Sequence, residues 1–147
     1  MVDLTLAEYR ALAELRYQLR RFLRFSEDAA RKAGLEPRQH QLLLTVRGLP
    51  ADLRPTIGVL AERLQIKPHT AVELVNRLVK GGYVERREGA SDDRREVVVK
   101  LTRKGQAMLR ELTLYHKAEL LSDGPALMDA LERVLHTGRN KKKPRST

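Results

Sequence analysis

Apolar residues recur at helical spacing through most of this chain, and the pattern is cleanest over residues 57–101. Ile57, Leu60, Ala61 and Leu64 fall at i, i+3, i+4 and i+7, one stripe of a short helix with Glu62 and Arg63 outside it. Thr56 is placed to cap that helix. Pro68, whose missing N–H is harmless in a first turn, opens a second helix with Ala71, Leu74, Val75 and Leu78 as its inward stripe. At about 100° per residue the outer face carries His69, Glu73, Asn76 and Lys80, flanked by Thr70 and Arg77. Gly81 and Gly82 supply a left-handed stop. The period then shortens to two. Residues 83–87 read as a strand, Val97, Val99 and Leu101 as its half-buried partner, and residues 89–92 as the turn between them. Two helices, a strand, a charged loop and a second strand make a helix-turn-helix with a wing.

The flanks are helical as well. Residues 5–33 contain neither Pro nor Gly, and Leu12, Leu15, Leu19, Phe22, Ser26, Ala29 and Ala33 alternate at spacings of three and four, a seam suited to another helix. Such a helix is roughly 40 Å long at 1.5 Å per residue, more than one small core covers, so part of its apolar face is expected to meet a second subunit. Gly34 ends it. Pro37 opens a helix through about Val46 with Leu42, Leu43 and Val46 as its apolar side and His40 as a polar boundary position. Gly48, Pro50 and Pro55 mark a loop. Beyond the wing, Thr102 caps a helix to about Leu121, with Met108, Leu112 and Tyr115 on one side and Leu114, Ala118 and Leu121 on another. Ser122 or Asp123 is expected to start a separate last helix, with Pro125 in its first turn, Leu127, Leu131, Val134 and Leu135 as a buried stripe, and Gly138 as its end.

Composition narrows the function classes. The 147 residues contain no Cys, which excludes disulfides and thiol-based metal or redox chemistry. No stretch approaches the roughly 18 uncharged apolar residues of a membrane span, and a cytoplasmic protein is expected. Net charge is +10, and its location matters more than its size. Residues 54–104 hold twelve basic against seven acidic side chains, and residues 139–145 hold five basic and none acidic, whereas residues 105–138 are net acidic. A basic excess on the one motif shaped for a groove points to nucleic acid. The stretch 139–147 reads as a basic, disordered tail, either brushing phosphates or merely solvated.

Asp93, Arg94 and Arg95, followed by Leu101, Thr102 and Gly105, resemble the D-x-R wing signature and trailing L-T-x-x-G of the multiple antibiotic resistance regulator (MarR) family of winged-helix transcription factors. Residues 70–84, TAVELVNRLVKGGYV, are similar to the family's recognition helix and its exit, and Leu35 and Gln39 to the start of its second helix. The resemblance covers nearly the whole chain. It implies a mainly α fold with a small β wing: a winged helix-turn-helix over about 37–101, with N- and C-terminal dimerisation helices, about 5–33 and 102–138, that interleave between subunits in one MarR-like domain, 1–138. It also implies a DNA-contacting wing arginine, and a homodimeric repressor released by a small aromatic or lipophilic effector. No local motif marks that effector's pocket.

In a major groove the helix opened by Pro68 enters with its N-terminal half, so Lys67, His69, Thr70 and Glu73 lie nearest the bases, with Asn76 farther along and Arg77 nearer the backbone. Glu73 either accepts from cytosine N4 or pairs with Arg77 four residues on. Arg86, Arg87, Arg94 and Arg95 belong to the wing, with Asp93 on the same strand side as Arg95 to orient it. Two-fold symmetry predicts a pseudo-palindromic double-stranded site. His40, His69, His116 and His136 show no metal-ligand spacing, and there is no GxSxG, GK[ST] or GxGxxG, so neither an enzyme nor a cofactor or metal is expected. Two other functions remain compatible with the sequence: a non-specific architectural DNA binder, and a winged helix serving as a protein-interaction module.

Overall fold

A computed structural model describes residues 3–88 and 96–137. Five helices and one two-stranded sheet follow in the order α1 (Leu6–Lys32), α2 (Pro37–Arg47), α3 (Ile57–Leu64), α4 (Pro68–Lys80), β1 (Val84–Glu88), β2 (Val97–Leu101) and α5 (Arg103–Thr137). The chain is mainly helical with a small β wing. It divides into two compact units, one of residues 27–114 and the other of residues up to 26 together with those from 115 onward.

In the unit of residues 27–114, the stripes read from the sequence form the core. Leu60 and Ala61 of α3 and Ala71, Leu74, Val75 and Leu78 of α4 are buried, with Leu35 and, from α2, Leu42 and Leu43. Left-handed residues close three helix ends. Gly34 and Gly82 (φ 88° and 79°) each sit where two amide N–H groups turn back onto the preceding last turn, Leu35 to the Ala30 carbonyl and Tyr83 to the Leu78 carbonyl at 2.9 Å each. The third such end, within the helix-turn-helix, is made by Gln65 at φ 53°, a residue that pays a steric penalty there and offsets part of it by donating from Nε2 to the Glu62 carbonyl at 2.8 Å. Thr56 caps α3, accepting from the Val59 N–H at 3.3 Å, and Thr56 also forms an antiparallel bridge to Val98 of β2.

The Leu101-Thr102-x-x-Gly105 segment that follows the wing is a packing device. Strands β1 and β2 pair antiparallel with Val84 opposite Leu101 and Glu88 opposite Val97. Just beyond, the Thr102 N–H donates to the Tyr83 carbonyl at 3.0 Å, its hydroxyl donates to the Gly82 carbonyl at 2.6 Å, and the Gly105 N–H donates back to that hydroxyl at 3.1 Å. Gly105 presses so close that an added Cβ would lie 2.0 Å from the Tyr83 carbonyl oxygen. Lys104 donates to the Gly81 carbonyl at 2.7 Å with its ammonium 4.4 Å from the Tyr83 ring centre. The start of α5 is thereby bolted to the exit of α4.

In the other unit, a capping box formed by Thr5 and Glu8 begins α1, Phe25 stacks on Tyr115 at 4.9 Å, and Ser26 Oγ meets His116 Nε2 at 2.7 Å. A cavity of about 160 Å³ is walled by Phe22, Phe25, Leu120 and Leu127 with Arg21, Glu119 and Asp123 at its polar edge.

Four expectations are corrected. The region beyond Thr102 is one helix, with Pro125 inside it, rather than two. The less exposed positions His116, Glu119, Leu127, Ala130, Val134 and Thr137 keep helical phase across the proline, and only the amide bond to the Leu121 carbonyl is forfeited. Leu131 and Leu135, expected in a buried stripe, are exposed, and Ala130 is the buried residue there. His40, expected at a boundary, is 2% exposed and lies 3.4 Å from Gln41 Nε2. Val97 is exposed at the rim of the sheet rather than half-buried.

Candidate nucleic-acid interface

Burying Ala71, Leu74, Val75 and Leu78 leaves the opposite face of α4 in solvent. Lys67, at the N-cap in extended conformation, and His69, Glu73, Asn76, Arg77 and Lys80 are exposed, while Thr70 is half-buried beside them. Six of the predicted site residues thus share one helix face and its N-terminal end. That end carries unpaired amide N–H groups and the positive pole of the helix, both suited to an anion such as a phosphate. Glu73 and Arg77 are not joined by an ion pair among the described residues.

The arginines of β1 differ in their engagement. Val84 and Arg86 alternate onto the same face of the sheet, where Val84 is buried and Arg86 is exposed, and Arg86 donates from Nη2 to Oδ1 of Asn76 on α4. Arg87 points the other way and is held by Glu85, Nη2 to Oε1 at 2.6 Å. At the far end of the wing base, Arg54 pairs with Glu96 at 2.5 Å and fixes the loop before α3 to the start of β2. Asp93, Arg94 and Arg95 lie outside the described residues, as does the predicted turn at 89–92.

Sequence reasoning overlooked one flank of this surface. Thr70, Glu73 and Arg77 form one wall of an open groove of about 480 Å³ whose other wall comprises Glu27, Arg31, Glu36 and Arg38. Arg38, in the first turn of α2, is exposed and makes no ion pair among the described residues. Its signal in the sequence was a basic residue directly after a helix-opening proline, where a negative residue suits the helix pole better.

Among the described residues no group of three His, Asp or Glu side chains is arranged to hold a metal ion, and no helix is long and apolar enough to cross a membrane.

Comparison with known proteins gives the same picture. Residues 33–96 match the sequence profile of the MarR family. Among solved structures, AbsC, a MarR family transcriptional regulator from Streptomyces coelicolor, superposes with a TM-score of 0.73 at 19% identity over 96% of this chain and 97% of that one. MepR, a transcription regulator of the Staphylococcus aureus multidrug efflux pump MepA, gives 0.65 at 16% identity over 86% and 90%. The Mycobacterium tuberculosis transcriptional regulator MOSR, solved in complex with DNA, gives 0.58 at 20% identity over 86% and 93%. At these identities the structural likeness speaks to fold. No curated protein sequence matches.

Proposed function

We propose that this chain, whose residues 33–96 match the sequence profile of the MarR family of transcription regulators, is a homodimeric, sequence-specific repressor of that family that reads a pseudo-palindromic operator with α4. The observation that carries this reading is the division of α4 into a fully buried apolar stripe and a solvent-facing row of groups able to bond to base edges and phosphates. Lys67, His69, Thr70 and Glu73 face the bases from the N-terminal half of the helix. Asn76 follows, Arg77 and Arg38 meet the flanking phosphates, and Arg87 with the wing residues Asp93, Arg94 and Arg95 engages the neighbouring minor groove.

Dimerisation is proposed from exposed apolar side chains in the unit built from the chain's two ends. Leu6 (61% exposed), Tyr9, Leu12, Leu121 (75%), Met128 (65%), Leu131 and Leu135 are large apolar side chains left in solvent there. A second copy of the chain supplies the cover. The protein acts in the cytoplasm, performs no catalysis, and releases DNA when a small aromatic or lipophilic effector shifts the population away from the DNA-compatible arrangement.

Selection of bound duplexes from a random pool at roughly physiological salt, where counterion release suppresses non-specific contacts, tests the proposal. It predicts an enriched pseudo-palindrome with half-sites about one helical turn apart. Retention without enrichment contradicts sequence-specific reading and favours an architectural binder.

A further inference from the structure

The contact between Arg86 and Asn76 fixes more than the position of two side chains. A guanidinium has five N–H donors and no acceptor, so whatever Asn76 turns toward β1 must be its carbonyl oxygen. Its amide NH₂ is therefore left on the far side. When asparagine reads adenine it uses both ends together, accepting from N6–H and donating to N7. Here the accepting end is already turned to a cation. Arg86 is well placed to hold it there: it stands opposite the buried Val99 in the sheet register, on the same side of β1 as the buried Val84, and reaches α4 from an exposed position. Arg87 cannot replace it, because it points to the opposite face and is paired with Glu85. We propose that Arg86 is a positioning residue that holds Asn76 as a donor toward DNA, so that Asn76 bonds an acceptor and not the mixed edge of adenine. The acceptor is either a base atom, guanine O6, a purine N7 or thymine O4, or a phosphate oxygen. The same bond ties the base of the wing to α4, so the two reading elements move together.

This inference rests on DNA binding by α4, and its tests separate the two. Affinity for the selected duplex is measured for Asn76→Ala, Arg86→Ala and the double variant, after thermal unfolding has verified that each folds like the wild type. The singles are expected to weaken binding by similar factors, roughly tenfold, and the double by no more than the worse single, the signature of two groups acting as one. Arg86→Ala should leave the slope of log affinity against log salt unchanged, where loss of a phosphate contact reduces it by about one. Arg86→Lys, which keeps a donor and a charge, should restore much of the loss. Multiplying losses in the double variant, or a salt slope reduced by one in Arg86→Ala, overturns the proposal. Repeating the duplex selection with Asn76→Ala identifies the acceptor: relaxed preference at a guanine, a thymine or a purine of either kind assigns a base atom, an unchanged motif with weaker binding assigns a phosphate, and a lost preference for adenine over guanine refutes the donor role. A readout without DNA stands beside these. In the free protein the NMR signals of the Asn76 side-chain amide should shift in Arg86→Ala and return toward the wild-type position in Arg86→Lys; signals indifferent to Arg86 refute the contact even if no duplex is ever selected.

Discussion

Replacing Gly105 by Ala adds one carbon where there is no room for it. The new Cβ would lie 2.0 Å from the Tyr83 carbonyl oxygen, 3.0 Å from its carbonyl carbon and 3.4 Å from its Cα. These are backbone atoms, so no rotamer change relieves the clash. Either the first turn of α5 or the exit of α4 must move by about 1 Å, the gap to the closest approach a real Cβ makes. Such a shift strains the Thr102 N–H bond to the same carbonyl and the Lys104 bond to Gly81. Overpacking costs about 1–3 kcal/mol and a strained hydrogen bond about 1 kcal/mol, against a helix-propensity gain of up to about 1 kcal/mol for Ala over Gly. The net loss is about 1–4 kcal/mol, or a Tm lower by roughly 2–16 °C for a chain of this length. Gly58 in α3 is the control, since an added Cβ there meets nothing within 4 Å, and Gly58→Ala should raise Tm by about 1–4 °C. Thermal unfolding followed by circular dichroism at one fixed protein concentration measures both, because assembly makes Tm depend on concentration. A Gly105→Ala protein as stable as the wild type refutes the reasoning.

Three further outcomes follow from other parts of the chain. Gln65→Gly should change stability by less than about 1 kcal/mol, as relief of the left-handed conformation offsets the added freedom of the unfolded chain, whereas Gln65→Val should cost more than about 1 kcal/mol; equal denaturation midpoints for the two variants contradict the role assigned to φ at this position. The Glu119 carboxyl is held above its ordinary range first by a hydrogen bond with Asp123, then by desolvation and by the Asp123 charge, with Arg21 opposing. A raised carboxyl stabilises the fold fully below its ordinary pKa and loses that contribution as pH rises through the folded value, so Asp123→Asn should flatten the fall in Tm as pH rises above the ordinary carboxylate range, and an unchanged profile contradicts the coupling. Leu131→Glu with Leu135→Glu should convert a dimer of twice the chain mass into a monomer by sedimentation, and an intact dimer contradicts that apolar face as the interface.

Where the sequence was legible, one physical signal dominated. Period placed the buried faces of α3 and α4, with Thr56, Pro68 and Gly82 marking their ends, because Leu60, Ala71, Val75 and Leu78 each have a single direction in which to be buried. It failed where two signals competed at one position. Pro125 after Ser122 and Asp123 has the form of a helix start, yet helical phase persists through it and the helix continues. Gln65 gave no cue because a left-handed turn usually advertises itself with glycine. His40 is polar by type but sits under the α2 core, a consequence of tertiary packing that residue character does not encode. The outer face of α4 was readable residue by residue, whereas the bond from Arg86 to Asn76 and the groove that Arg38 shares with α4 depend on how separate elements pack and emerged only from the fold.

The most direct measurement of the central claim, that the outer face of α4 reads base edges, is duplex selection run in parallel on the wild type and on a chain carrying His69→Ala and Glu73→Ala. The account predicts that the wild type enriches a pseudo-palindrome and that the variant still binds DNA at low salt but loses preference at matched positions in both half-sites. Recovery of the same motif with the same stringency from both proteins contradicts it.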